Sequence, residues 1–315
     1  MTDEPIIEGV GLNLTDMIPG RIDLLPDILA RYRGVGCSHV ELTARRLDFV
    51  LGGRLNVARA EAVGGMVADA GLIPVLHANH AINLMDPADA DLHEAAAAAS
   101  IAACVRLGAH SMVLHSGVLP ADLHAAEGPA RRAAERDRLR RLGDLAGQAG
   151  VRLAVENLIG KPGAAHVAYG ADPVALAEQL AEVAHPWVGA CLDFGHAWLS
   201  AHALGFDYLA ALEALSPYVW HLHLHDNFGR AGHSPDPGDE VALGIGDMHA
   251  PMFTGSIPWA ELLPRMRFRP RTFGGIELNG RYRTEAATVV ATAHAIAAHL
   301  NQGAILENPY KDAFQ

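Results

Sequence analysis

The sequence predicts an α/β protein, a single-domain (β/α)8 barrel over residues 1–315. Three observations carry that prediction. Runs rich in Val, Ile and Leu alternate with segments of helical period, and short connections between such runs demand parallel strands with helical crossovers. Eight such units in about 300 residues is the count of a closed barrel. The main alternative, a doubly wound open sheet, lacks its signature: no Gly-x-Gly-x-x-Gly follows the first strand.

In chain order, the first strand is read at 6–14 and its helix at 23–33. A second strand at 39–42 (His39-Val40-Glu41-Leu42) leads to a helix at 57–70. The third, at 72–77, ends on His77 and precedes an Ala-rich helix at 89–107. The fourth, at 111–115, ends on His115 and precedes an Arg-rich helix at 128–148. Strand five, at 151–156, ends in Glu156-Asn157, with a helix at 173–183; strand six, at 188–193, ends in Asp193-Phe194-Gly195-His196, with a helix at 207–215. Strand seven, at 218–225, alternates His221, His223 and His225 with apolar residues, which puts the three imidazoles on one face. A short helix at 259–266, a strand at 273–278 bearing Glu277, and a helix at 285–300 complete the pattern. One long stretch, 229–257, is read as irregular; it lies after strand seven, on the face where such barrels carry their chemistry.

Composition narrows the partners. Half the residues are hydrophobic, as in a globular protein. The opening Met1-Thr2-Asp3-Glu4-Pro5 has no basic start or apolar run of a secretion signal, and no apolar stretch reaches membrane-spanning length, so a cytoplasmic location is expected. Cys37, Cys104 and Cys191 are odd in number and far apart, which fits buried free thiols. With 24 Lys+Arg against 36 Asp+Glu and a net charge of −12, the chain lacks the basic surface that nucleic acid requires. The arginines of 131–141 alternate with Glu135 and Asp137, as on a solvated helix face.

The strand ends share one chemistry. His77, His115, Glu156, Asp193, His196, His223 and Glu277, with Asp247-Met248-His249 from the long stretch, are all imidazole or carboxylate, the ligand types of zinc, manganese and iron. Each has an ordinary explanation: a hydrogen-bonded histidine, an ion pair at Glu156 or Glu277, a turn cap at Asp193 and His196. Their recurrence at six strand ends favours metal.

Arranged in this order, the motifs resemble those of the xylose isomerase-like TIM-barrel superfamily, which includes endonuclease IV and many sugar isomerases and epimerases. The resemblance covers roughly residues 72–278 and implies a central metal held by Glu156, Asp193, His223 and Glu277. It extends to the nine ligands of the three-zinc endonuclease: His77 precedes Ile82-Asn83-Leu84, His115-Ser116-Gly117 stands where the family has His-Pro-Gly, and Asp247-x-His249 precedes Gly255-x-Ile257. It therefore implies up to three divalent ions. His77, His115 and Glu156 would hold one, the central four a second, and His196, Asp247 and His249 a third, with Glu156 bridging the first two. Leu243-Gly244-Ile245-Gly246 offers a competing register that would put Gly238 and Glu240 at the late Asp-x-His positions. His80 and Ala81 replace the bulky pair with which the endonuclease invades DNA, which, with the acidic charge, argues against DNA repair.

Two reactions on a small soluble substrate are expected from this set. The first is phosphoester hydrolysis at a trinuclear site, since three ions exceed what enolisation requires. The second is isomerisation or epimerisation of a sugar or sugar phosphate through an enediolate, with Glu156 and Glu277 as acid and base. A metal-stabilised binding protein is the non-enzymatic alternative. Arg230, in a run like the Asp-x-Pro-Gly-Arg of hydroxypyruvate isomerase-like members but with Phe228 for the proline, is expected to bind substrate, as is His233. Lys161 is a further candidate for an anionic substrate. His221 and His225 are expected near the site without being ligands, and Trp220 and Trp259 in packing.

Overall fold

The computed structural model describes residues 4–14, 17–234 and 236–311. Eight parallel strands close into one barrel: β1 Ile7–Asn13, β2 His39–Thr43, β3 Ile73–His77, β4 Ser111–His115, β5 Arg152–Glu156, β6 Val188–Asp193, β7 Val219–Leu224 and β8 Thr272–Ile276. Each strand bonds to its sequence neighbours, and β8 closes on β1. The expected barrel is the one formed. Two expected strands end early, so His225 and Glu277 lie just beyond the ends of β7 and β8.

Period-two alternation divides each strand between two environments. Val40 and Leu42, Leu76, Met112 and Leu114, Leu153 and Val155, Leu192, Leu222 and Leu224, and Ile276 belong to the apolar layer under the helices. The alternate positions bring His39, Glu41, His77, Glu156, Asp193, His221 and His223 into the barrel, all buried. Glycine makes room for these large polar groups: a Cβ at Gly9 would collide with the His39 ring.

The helices differ from expectation in several places. The Arg-rich helix starts earlier, spanning Ala121–Ala149 with Pro129 inside it. An additional helix, Phe194–Leu204, begins directly at the end of β6, with Asp193 as its cap. The long stretch after β7 is not wholly irregular: it contains the helix Pro237–Leu243, and backbone bridges pair Asp226 with Ala250 and Arg230 with Ile245. Cys37, Cys104 and Cys191 are free and buried, and among the described residues no helix is long and apolar enough to cross a membrane.

A candidate metal centre at the barrel mouth

The polar strand ends converge. Backbone register sets His115 beside Glu156 and Asp193 beside His223, so neighbouring strands deliver their side chains at one level. A cavity of about 570 Å³ opens there, lined on one side by His77, His115, Glu156, His196, Asp247, His249 and Glu277. Asn13, Thr43, Arg45, Arg46 and Asn279 line the rest, with His80 and Gly280.

The structure brings together the side chains that the resemblance groups into three sets. His77 Nε2 and His115 Nε2 lie 3.1 and 3.4 Å from Glu156 Oε2. His223 Nδ1 is 3.1 Å from Glu156 Oε1, 3.6 Å from Asp193 Oδ2 and 3.8 Å from Glu277 Oε2. His196 Nε2 and His249 Nε2 lie 3.3 and 3.0 Å from Asp247 Oδ2. Glu156 thus presents one oxygen to the first set and the other to the second. His249 Nε2 is also 3.2 Å from Glu277 Oε2, which joins the third set to the second.

Three of the imidazoles are oriented through their remaining nitrogen, as metal-ligating histidines are. His77 Nδ1–H donates to the Ala78 carbonyl at 2.9 Å and His196 Nδ1–H to that of Asn157 at 3.0 Å, leaving both Nε2 atoms free to act as donors to a cation. His223 is turned the other way, its Nε2–H donating to Glu41 Oε2 at 3.2 Å. Asp193 serves twice: Oδ1 caps the following helix by accepting His196 N–H at 2.6 Å, while Oδ2 faces the second set. The cap and the ligand readings are therefore compatible. Gly195 is required beside it, because a Cβ there would strike the His225 ring.

The electrostatics fit a divalent cation. Burial disfavours the ionised form of Glu156, Asp193, Asp247 and Glu277, yet the surrounding imidazoles hold all four below the usual carboxylate range, Glu277 at about 2. Burial opposes protonation of His77 and His196, but Glu156 raises the first to about 9, and Asp193 and Asp247 the second to about 10. His115 is pushed down to about 4, chiefly by burial. Asp247 Oδ1 is buried with no hydrogen-bond partner among the described residues, as expected of an atom available to a cation.

Arg230 and His233 do not line this cavity. Arg230 donates to the Leu243 carbonyl at 2.7 Å and so holds the loop helix, and the exposed His233 pairs with Glu240 at 2.6 Å. The loop's own contacts have absorbed both groups. Glu240 is thereby accounted for, and the competing register fails on geometry: Asp247 and His249 reach the cavity. Lys161 lines an adjoining cleft of about 470 Å³ that shares Asp247. His221 donates to Glu41 at 2.7 Å and stands behind the second set; His225 Nε2 lies 3.0 Å from both Asp193 oxygens while its Nδ1, 3.8 Å from Asp247 Oδ1, belongs to the cluster of His196, Asp247 and His249. Trp259 is packed, its indole N–H on Asp226 at 2.9 Å.

Sequence reasoning missed Glu41, Asp226 and the Arg45–Arg46 pair. Glu41 is buried between two histidines of β7. Its signal was the alternation His39-Val40-Glu41-Leu42, a carboxylate at an inward position of an apolar strand. Asp226 accepts from Asn227 N, Ile257 N, Phe253 N and Trp259 Nε1, stapling the end of the long loop to β7.

Comparison with solved structures places this architecture among known proteins. A D-tagatose 3-epimerase-like protein superposes with TM-score 0.67 at 16% identity, covering 92% of this chain and 98% of the other. A 3-keto-D-glucoside 4-epimerase from E. coli gives 0.63 at 15%, covering 91% and 98%. A Thermus thermophilus protein soaked with zinc chloride gives 0.63 at 21%, covering 92% and 98%. At these identities the likeness is one of fold. No curated protein matches the chain in sequence. A family model does, across residues 29–298, and on that match the chain belongs to the xylose isomerase-like TIM-barrel family.

Proposed function

We propose that the protein is a divalent-metal-dependent isomerase or epimerase of a small sugar. The observation that carries this reading is that Glu156 and Glu277, from β5 and the end of β8, both approach His223 Nδ1 and so border one cation position at the wall of the cavity. A divalent ion held by Glu156, Asp193, His223 and Glu277 would polarise a carbonyl and the adjacent hydroxyl, making the intervening C–H acidic. One carboxylate then takes the proton to give an enediolate, and the other returns a proton to the neighbouring carbon or the opposite face. Asn13 Nδ2–H donates to Glu277 Oε1 at 2.7 Å and fixes that carboxylate. His77 and His115, both against Glu156 Oε2, provide imidazoles through which its proton can leave. Fold neighbours include a D-psicose 3-epimerase and the 3-keto-D-glucoside 4-epimerase, which supports a sugar substrate.

A second reading, phosphoester hydrolysis with three ions, is favoured by the completeness of all three donor sets. Elemental analysis and a solvent-exchange assay separate the two. Metal-loaded protein incubated with ketoses in D2O should incorporate deuterium next to the carbonyl, and Glu277→Gln should slow this by about 10²-fold or more. About one ion per chain with exchange supports the isomerase. About three ions, hydrolysis of phosphate esters and no exchange would replace it with the hydrolase.

A further inference from the structure

We infer that Arg45 and Arg46 form an anion subsite at the cavity rim, so that the substrate is a sugar carrying an oxyanion group, phosphate or carboxylate, at the end remote from the reacting carbons. The inference rests on the reading of this cavity as the substrate pocket and adds the substrate's charge to it.

The two arginines sit on the short helix Ala44–Leu47, which leaves β2 at the barrel mouth and ends at Asp48 in a left-handed conformation (φ 53°). Both line the cavity that holds the donor sets. Several of the chain's other arginines are neutralised by carboxylates in the structure. Arg21, Arg106, Arg131, Arg140 and Arg141 pair with carboxylates on the surface, and Arg152 and Arg271 share Glu8 at the opposite end of the barrel. Arg45 is exposed, and among the described residues it makes no hydrogen bond or ion pair. Arg46 is half-buried and spends one N–H on the Met17 carbonyl at 2.6 Å, while its own carbonyl accepts Gly20 N–H at 2.8 Å. That anchoring fixes where the guanidinium can go without neutralising it. Two adjacent forks of N–H donors, uncompensated and at the edge of a cavity, match the oxygens of a phosphate or carboxylate.

The cavity has the polarity such a molecule requires. Carboxylate and imidazole donors form one wall, the neutral Asn13, Thr43 and Asn279 suit hydroxyls, and the arginines close the rim. About 570 Å³ accommodates a hexose phosphate.

Calorimetry on the metal-loaded protein tests this with fructose, fructose 6-phosphate and fructuronate. The wild type should bind at least one charged sugar about tenfold or more tighter than fructose, the amount a charge-assisted hydrogen bond confers. The better of the two identifies the anion. Arg45→Ala should reduce that preference, and the double Arg45→Ala, Arg46→Ala variant should erase it, with metal content unchanged as the check on folding. Equal binding of all three sugars by the wild type overturns the subsite while leaving the sugar reading in place. So does a preference that survives the double substitution, because the anion then sits elsewhere. Binding of none of the three overturns the sugar reading, and the subsite with it.

Discussion

Glu41 Oε2 accepts the Nε2 proton of His223 at 3.2 Å, from the side opposite the Nδ1 atom that faces Glu156. The same oxygen accepts from His221 at 2.7 Å. Burial opposes the charge on Glu41, but His223 and His221 hold it well below the usual carboxylate range. A carboxylate behind a ligating imidazole fixes its tautomer and strengthens it as a donor. Glu41→Gln is therefore expected to weaken metal binding by about 10- to 100-fold, measured by competition with a chelator. Unchanged affinity would mean that Glu41 only neutralises local charge.

The metal-free protein should lose stability in alkali. His77 and His196 are raised to about 9 and about 10 by the neighbouring carboxylates, against an unfolded value of about 6.5. A raised histidine contributes stability that is full below about pH 6.5 and is lost as the pH rises through the folded values. Glu277, lowered to about 2, acts at the other end: its contribution is present above about pH 4.5 and is lost as the pH falls towards 2. Melting of the stripped protein should drop between about pH 7 and 10, and less so once metal is restored. Metal uptake at neutral pH should release protons. Identical melting profiles with and without metal would contradict this account.

Asp226→Ala should cost about 3 kcal/mol or more, because four donors, three of them in buried hydrogen bonds, lose their acceptor. The segment carrying Asp247 and His249 joins β7 through the Asp226–Ala250 bridge, so His196, Asp247 and His249 should also bind a cation less tightly. Thermal denaturation and metal titration of the variant check both parts; a variant that melts like the wild type would show the staple to be redundant.

The barrel and most of its mouth were legible because β-strand alternation is strict and the ligand-type residues stand at strand ends. His77, His115, Glu156, Asp193 and His223 needed only the position of the strand, and Asp247 and His249 came from the resemblance of Asp247-x-His249 and Gly255-x-Ile257 to the family's late motif. Glu41 was hidden because it lies within its strand, where only the choice of inward face shows that it meets His221 and His223. Arg230 and His233 looked suitable by residue type, but the loop's fold spends them on Leu243 and Glu240. No local pattern reports which polar side chains a loop will engage in its own contacts. Arg45 and Arg46 escaped notice for the converse reason: a single helical turn after β2 has too few residues to show a period.

The distribution of donors along the chain gives any ions an order of arrival during synthesis. His77, His115 and Glu156 come from β3, β4 and β5, so the first set is complete in the growing chain while β6 to β8 are still to come. The central set needs Glu277, after β8, and the third needs the segment that follows β7. If ions bind at these sets, the first three donors would be synthesised before β6 to β8, whereas the central set would be complete only after the last strand has joined the ring. Occupancy of that position is then a record that the whole circuit has closed.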